Sequence, residues 1–230
     1  MEFITYNYII YMRVSSTNTT VPDFSSVIAC ISNHVPFEYT LTSPGAESRE
    51  FIKKITNEYL KQIHLEKYYN LLGLCMEEII SNSVKANIKR AYFITHNLNI
   101  NNHDDYESGM KHFKEQGLSN IRDAKFVEEI NKLGLYVKLS FNVENNCLYI
   151  TARNNSVISK EEISRINKRL SMSENKSSED IFMNSIDQTE GAGLGIIMIK
   201  KILSQISSID ECFRIRATDT ETITELMILP

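Results

Sequence analysis

Two stretches of this sequence carry residue types whose spacing can do chemistry. In EEIISNSVKAN, Glu78, Asn82 and Lys85 stand at i, i+4 and i+7, and Lys89 extends the series by one more turn. On a helix they form one polar stripe, roughly opposite an apolar face of Leu72, Met76, Ile79, Ile80, Ser83 and Val84. A carboxylate there can orient a water or accept a proton, an amide oxygen can ligate a hard cation such as Mg2+, and an ammonium can contact phosphate. The bland alternative is a solvated stripe in a chain rich in Asn. The second stretch is Gly191-Ala192-Gly193-Leu194-Gly195, which runs straight into an apolar-periodic segment. Glycines at a helix start let the backbone approach a ligand, and the unpaired N–H groups favour phosphate. No Gly-Lys-Ser/Thr follows, and no strand immediately precedes, so neither a Walker loop nor a dinucleotide fingerprint is present. A glycine turn that merely allows close helix packing is the alternative.

The elements that must position these groups follow from periodicity. VPFEYTLTS alternates as a strand and is broken at Ser43-Pro44-Gly45. Helices are predicted over about 46–63, with apolar positions Phe51, Ile52, Ile55, Tyr59 and Leu60, and over about 67–90. Further helices are predicted over about 106–116 and 120–133, the last stopped by Gly134. LYVKLSFNVE and CLYITARN alternate on either side of Asn145-Asn146, the pattern of a hairpin. Ser159 with Glu162 three positions on predicts a capped helix over about 160–170, followed by a Ser-rich segment expected to be mobile. The helix after the glycines and two closing strands, CFRIRAT and ITELMIL, complete the order. Residues 1–34 are the least legible part and are taken as an N-terminal extension of unknown role.

The chain has 230 residues, 42% of them hydrophobic and 23% charged, which is globular composition with enough length for a core that needs no staple. Its net charge of −4 lacks the basic excess of a nonspecific nucleic-acid or membrane binder. Cys30, Cys75, Cys147 and Cys212 are far apart in sequence and match no zinc spacing, so they read as buried, reduced thiols. No signal peptide or membrane-spanning run is legible, and a cytoplasmic location is expected. His96, His103, Asp104, Asp105 and His112 match no metal-ligand spacing and read as a solvated loop, and His64 reads as a helix-surface histidine.

Together, in this order and with a hairpin between them, the two stretches resemble the GHKL superfamily of histidine-kinase-like ATP-binding domains over about residues 35–230. EEIISNSVK resembles its N box and EGAGLGI its second glycine box. The resemblance implies an α+β fold, a two-layer sandwich whose mixed, mainly antiparallel sheet is covered by helices on one face. It implies Mg-ATP binding, with Glu78 as catalytic base, Asn82 on Mg2+, Lys85 and Gly191, Gly193 and Gly195 at the phosphates, and γ-phosphate transfer or hydrolysis as the chemistry supported. The segment Ser159 to Glu190 takes the place of the family's ATP lid, and residues 91–134 form an insertion. Where the family has a strand ending in Asp-x-Gly-x-Gly, whose Asp takes the adenine amino group, this chain has Asn154, Ser156 and Ile158. Asn154 therefore inherits the base position. Two readings follow: an ATP-binding signalling protein, or a degenerate, non-catalytic member that binds a protein partner, as an anti-sigma-like module or adaptor does.

Overall fold

The computed structural model describes residues 2–6, 9–15, 21–42, 44–113, 124–173 and 194–230. Its central feature is a hairpin of β4 (Val137–Glu144) and β5 (Cys147–Asn154), closed by Asn145 and Asn146 with φ of 51° and 60°. A two-residue turn with both centres left-handed matches the twist of its strands, and Asn is among the few residues that adopt it cheaply. Register runs from Glu144 opposite Cys147 to Val137 opposite Asn154.

The other strands build outward from this pair. β3 (Phe37–Leu41) lies antiparallel beside β4, while β7 (Thr222–Ile228) and then β6 (Phe213–Ala217) continue beyond β5, also antiparallel. Two N-terminal strands, β1 (Glu2–Tyr6) and β2 (Ile9–Ser15), extend the opposite side, and β2 runs parallel to β3. The sheet order is β1-β2-β3-β4-β5-β7-β6, so the sheet is open, mixed and mainly antiparallel. A parallel neighbour requires a crossover, and α1 (Phe24–Ser32), capped by Asp23, lies in that connection. Its Val27 and Cys30 are wholly buried in the main core, so residues 1–34 supply two strands and a core helix.

Strand alternation places Val137, Leu139 and Phe141 of β4 and Leu148, Ile150 and Ala152 of β5 on one buried face. On the other face Tyr149 and Arg153 are exposed. The buried face is covered by α2 (Ala46–Gln62), α3 (Tyr69–Thr95) and α7 (Leu194–Ile206). The α2 stripe is the one its periodicity predicts: Phe51, Ile52, Ile55, Tyr59 and Leu60 are all buried, and the Tyr59 ring stacks on Phe141 at 5.4 Å. α2 ends in a Schellman motif: the Leu65 N–H reaches Leu60 O at 2.9 Å, and His64 takes the left-handed position with φ of 58°. His64 thus caps the helix end, still exposed as expected.

Residues 91–134 hold α4 (His103–His112) and α5 (Ala124–Lys132). They gather a second apolar cluster around the C-terminal half of α3, with Ile88, Ala91, Tyr92, Phe93, Ile100, Tyr106, Phe113, Ile130 and Leu135 buried in it. α6 (Lys160–Ser173) begins with the capping box expected there: Ser159 N–H donates to Glu162 Oε2 at 3.1 Å and Glu162 N–H to Ser159 Oγ at 3.2 Å. Among the described residues no helix is long and apolar enough to cross a membrane. Most of the Ser-rich segment after α6 lies outside the described residues.

All four cysteines are free and buried. Burial pushes the Cys30 thiol up to about 11 and the Cys75 thiol up to about 12, far from the thiolate that reacts. We therefore expect an aromatic disulfide reagent at mildly alkaline pH to find no rapidly reacting thiol in the native protein and all four after denaturation. Rapid labelling of Cys30 or Cys75 in the native state would contradict this packing.

Candidate functional site

The polar stripe of α3 is not simply solvated. Glu78 and Asn82 are half-buried, while Lys85 is exposed and forms no ion pair among the described residues. Asn82 Nδ2 donates to Glu78 Oε1 at 2.9 Å, one helical turn back. Because only the amide nitrogen can donate to a carboxylate, the bond fixes the amide's orientation, and Asn82 Oδ1 is left without a partner among the described residues. An unpaired amide oxygen beside a carboxylate suits a hard divalent cation.

The same carboxylate meets the glycine segment. Gly195 lies in the first turn of α7, and a Cβ placed on it would collide with the Oε1, Cδ and Cγ atoms of Glu78. Its φ is not left-handed, so glycine is needed here for the close approach of two helices and not for a turn. The contact sets an acidic group at a helix N-terminus, where the dipole and unpaired N–H groups favour negative charge. Glu78, Asn82 and Gly195, distant in sequence, are thus brought together. Gly191 and Gly193 lie outside the described residues.

Further along α3, Lys89 is paired with Glu162, the capping carboxylate of α6, with only 12% of the lysine side chain exposed. Burial first, and the Arg165 guanidinium second, push the Lys89 ammonium down to about 8, although the Glu162 carboxylate lies against it. Arg165 itself lies over the Tyr106 ring, its guanidinium carbon 5.2 Å from the centroid. The start of α6 is therefore fastened to both α3 and α4.

Asn154, on the helix-covered face at the end of β5, is 3% exposed. Its Nδ2 donates to Ser156 O at 3.2 Å, and its Oδ1 has no partner among the described residues. Thr222, directly opposite across the strand pair, donates to the same Ser156 O at 2.6 Å and accepts the Ile158 N–H at 2.8 Å. That threonine holds the turn after β5 against β7. Two more buried polar atoms in this region, Ser156 Oγ and Asn87 Oδ1, have no partner among the described residues. Asn87 is fully buried on α3 and donates to Tyr136 O at 3.1 Å, beside the Val137–Asn154 pair. From Glu78 to Asn87 the helix advances roughly 14 Å at 1.5 Å per residue, so α3 links the glycine contact to this polar cluster.

Thr222, Ser156, Asn87 and the Lys89–Glu162 pair were not legible as site groups. Thr222 depends on strand register, and Asn87 falls on a helix position that the stripe does not include. The remaining histidines and aspartates are used locally: His96 stacks on Tyr92 at 4.0 Å, Asp105 Oδ2 accepts the Asn99 N–H at 2.8 Å, and His112 Nδ1 lies 2.8 Å from Ser108 O. Among the described residues no group of three or more His, Cys, Asp or Glu is placed to hold a metal ion.

No family model matches the chain, and no solved structure matches it. An uncharacterized protein of Treponema pallidum (strain Nichols) is 28% identical over 209 residues, covering 90% of this chain and 40% of that protein. The chain thus spans less than half the length of this relative.

The Glu78–Gly195 contact makes a specific energetic prediction. Gly195→Ala is expected to destabilise the protein by about 1–3 kcal/mol, by forcing Glu78 aside and breaking its bond with Asn82. In a Glu78→Ala background the same substitution is expected to be neutral or stabilising by up to about 1 kcal/mol, the helix propensity gained over glycine. Urea unfolding of the double-mutant cycle measures this, and equal effects in both backgrounds would mean the two groups do not touch.

Proposed function

We propose that this chain is a histidine-kinase-like nucleotide-binding protein of the GHKL type, acting in cytoplasmic signalling through a protein partner. The single observation that carries the reading is the meeting of Glu78, Asn82 and Gly195. A carboxylate and an amide one turn apart on a long helix, against a glycine in the first turn of a second helix, are the parts that a Mg-triphosphate site of this type requires. The open, mainly antiparallel sheet with its core on one face agrees with the two-layer sandwich of that superfamily.

In this reading Asn82 Oδ1 would hold Mg2+, a hard cation suited to an amide oxygen, and the cation would neutralise phosphate charge when bound. Gly195 carries no side chain of its own over the helix start, and Gly191 and Gly193 precede it in the sequence. Lys85, an exposed cation with no ion pair among the described residues, one turn beyond Asn82, supplies a point charge to the phosphates. Glu78, whose carboxylate stays half-buried, orients a water or accepts the proton of an attacking group, so transfer and hydrolysis both fall within its reach. Asn154 takes the edge of the base.

A second reading is favoured by the turn after β5. Ser156 and Ile158 occupy the places of glycines, and their backbone is tied to Thr222 by two hydrogen bonds. A base pocket closed in this way would leave a non-catalytic, partner-binding module on the same fold.

Titration calorimetry of Mg-ATP and Mg-ADP against the wild type and Asn82→Ala separates the two. We expect binding in the wild type and a loss of about tenfold or more in the variant, the scale of one lost metal-ligand or charge-assisted contact. Absence of binding at millimolar nucleotide would select the partner-binding module.

A further inference from the structure

A cavity of about 270 Å³ lies at the end of the sheet opposite to Asn154, lined by the last turns of α1 and α2 and by the β4–β5 turn. From Asn146 to Asn154 the chain advances roughly 26 Å at about 3.3 Å per residue, and the cavity shares no residue with the polar groups around Glu78 and Asn154. We propose that this cavity is a separate ligand site, and that it takes a small uncharged molecule of one ring bearing a carboxamide or lactam group. The inference does not depend on the nucleotide-binding reading.

The cavity lies where β4 outruns its neighbour. Pairing between β3 and β4 ends at Phe37 opposite Phe141, so Asn142, Val143 and Glu144 have no partner in β3. The chain before β3 turns away into α1 instead, with His34 in the left-handed position at φ of 54° and the Val35 N–H donating to Cys30 O at 3.0 Å. The projecting end of β4 therefore has no strand opposite it on that side. A ligand amide offers the same donor and acceptor that a neighbouring strand would.

Charge narrows the class further. Gln62, Asn142, Asn145 and Asn146 bring carboxamides, and no carboxylate, ammonium or guanidinium belongs to the lining. Imidazole, carried by the exposed His34, is the one lining group that becomes cationic in mild acid. Two helices end at the cavity, and the C-terminal end of a helix dipole disfavours anions. Half-buried Ile31, Val35 and Val143 give it apolar wall against which a ring face can lie.

Tyr59, which also lines the cavity, is 2% exposed, and its hydroxyl proton has no acceptor among the described residues. Burial pushes this phenol above its ordinary range, so it remains a donor. A buried donor without an acceptor favours a ligand that brings a carbonyl oxygen. The volume falls just below the roughly 300 Å³ at which pockets for drug-sized molecules begin, so a single ring is the size that fits.

The test is an NMR titration of the isotopically labelled full chain with benzamide and with benzoate, its isosteric anion, at mildly alkaline pH. We expect benzamide to bind in the millimolar range usual for a one-ring ligand, shifting amide signals of Gln62, Asn142, Asn145 and Asn146. Benzoate should bind at least about tenfold more weakly, since it lacks a donor and carries the disfavoured charge. Val143→Phe, which narrows the cavity, should weaken benzamide by about tenfold or more. Equal binding of the two probes, shifts confined to residues outside the cavity, or unchanged affinity in a folded Val143→Phe would each overturn the proposal. So would the absence of benzamide binding at tens of millimolar, and glucose binding in the cavity where benzamide does not would overturn the carboxamide class in favour of a polyol. If Val143→Phe does not fold, the map of shifts and the benzamide-to-benzoate ratio decide alone. No nucleotide enters the experiment, so its failure is separate from failure of the nucleotide-binding reading.

Discussion

The absence of a side chain at Gly195 is the constraint around which the site is organised. A helix start can come close enough to α3 to touch the Glu78 carboxylate only where no Cβ intervenes. That approach places the end of one dipole against the acid of another helix, and it leaves Asn82 to bridge back to the same acid at 2.9 Å. Any larger residue would separate the helices or displace the acid. The geometry of three otherwise ordinary residues is thus set by one missing methyl group.

α3 works on several fronts at once. Its N-terminal half buries Leu72, Cys75, Met76, Ile79 and Ile80 against the sheet, while its C-terminal half forms the separate cluster with α4 and α5. Between these, its polar side meets α7 through Glu78 and α6 through Lys89. A pair as enclosed as Lys89 and Glu162 gains little net stability, since desolvation offsets attraction, yet removing one partner would strand the other. Its value lies in fixing where α6 begins.

The legible and illegible parts of this fold divide along physical lines. Helices α2 and α3, the β4–β5 hairpin and the Ser159–Glu162 box could be read because each is specified by local periodicity or by residues a few positions apart. Helix ends were harder. Glycine normally marks the left-handed residue after a helix, but His34, His64 and Asn97 fill that position here with φ of 54°, 58° and 55°, so three stops carried no glycine signal. The N-terminal strands owe their place to pairing with β3, which no short window reveals. Asn154 was singled out only through the family resemblance, which sets it where an Asp ends the strand, whereas Thr222 ties down the turn after β5 only through register with that strand.

The two edges of the sheet are not equivalent. β6 forms one of them, and its Arg214 and Arg216 are held in ion pairs with Glu211 and Glu225 at 2.7 Å and 2.9 Å. Ordered charges on an outermost strand discourage another chain from adding a strand there. Growth of the sheet by intermolecular pairing is therefore disfavoured on the β6 side, where side-chain charge does the work that a covering helix does elsewhere.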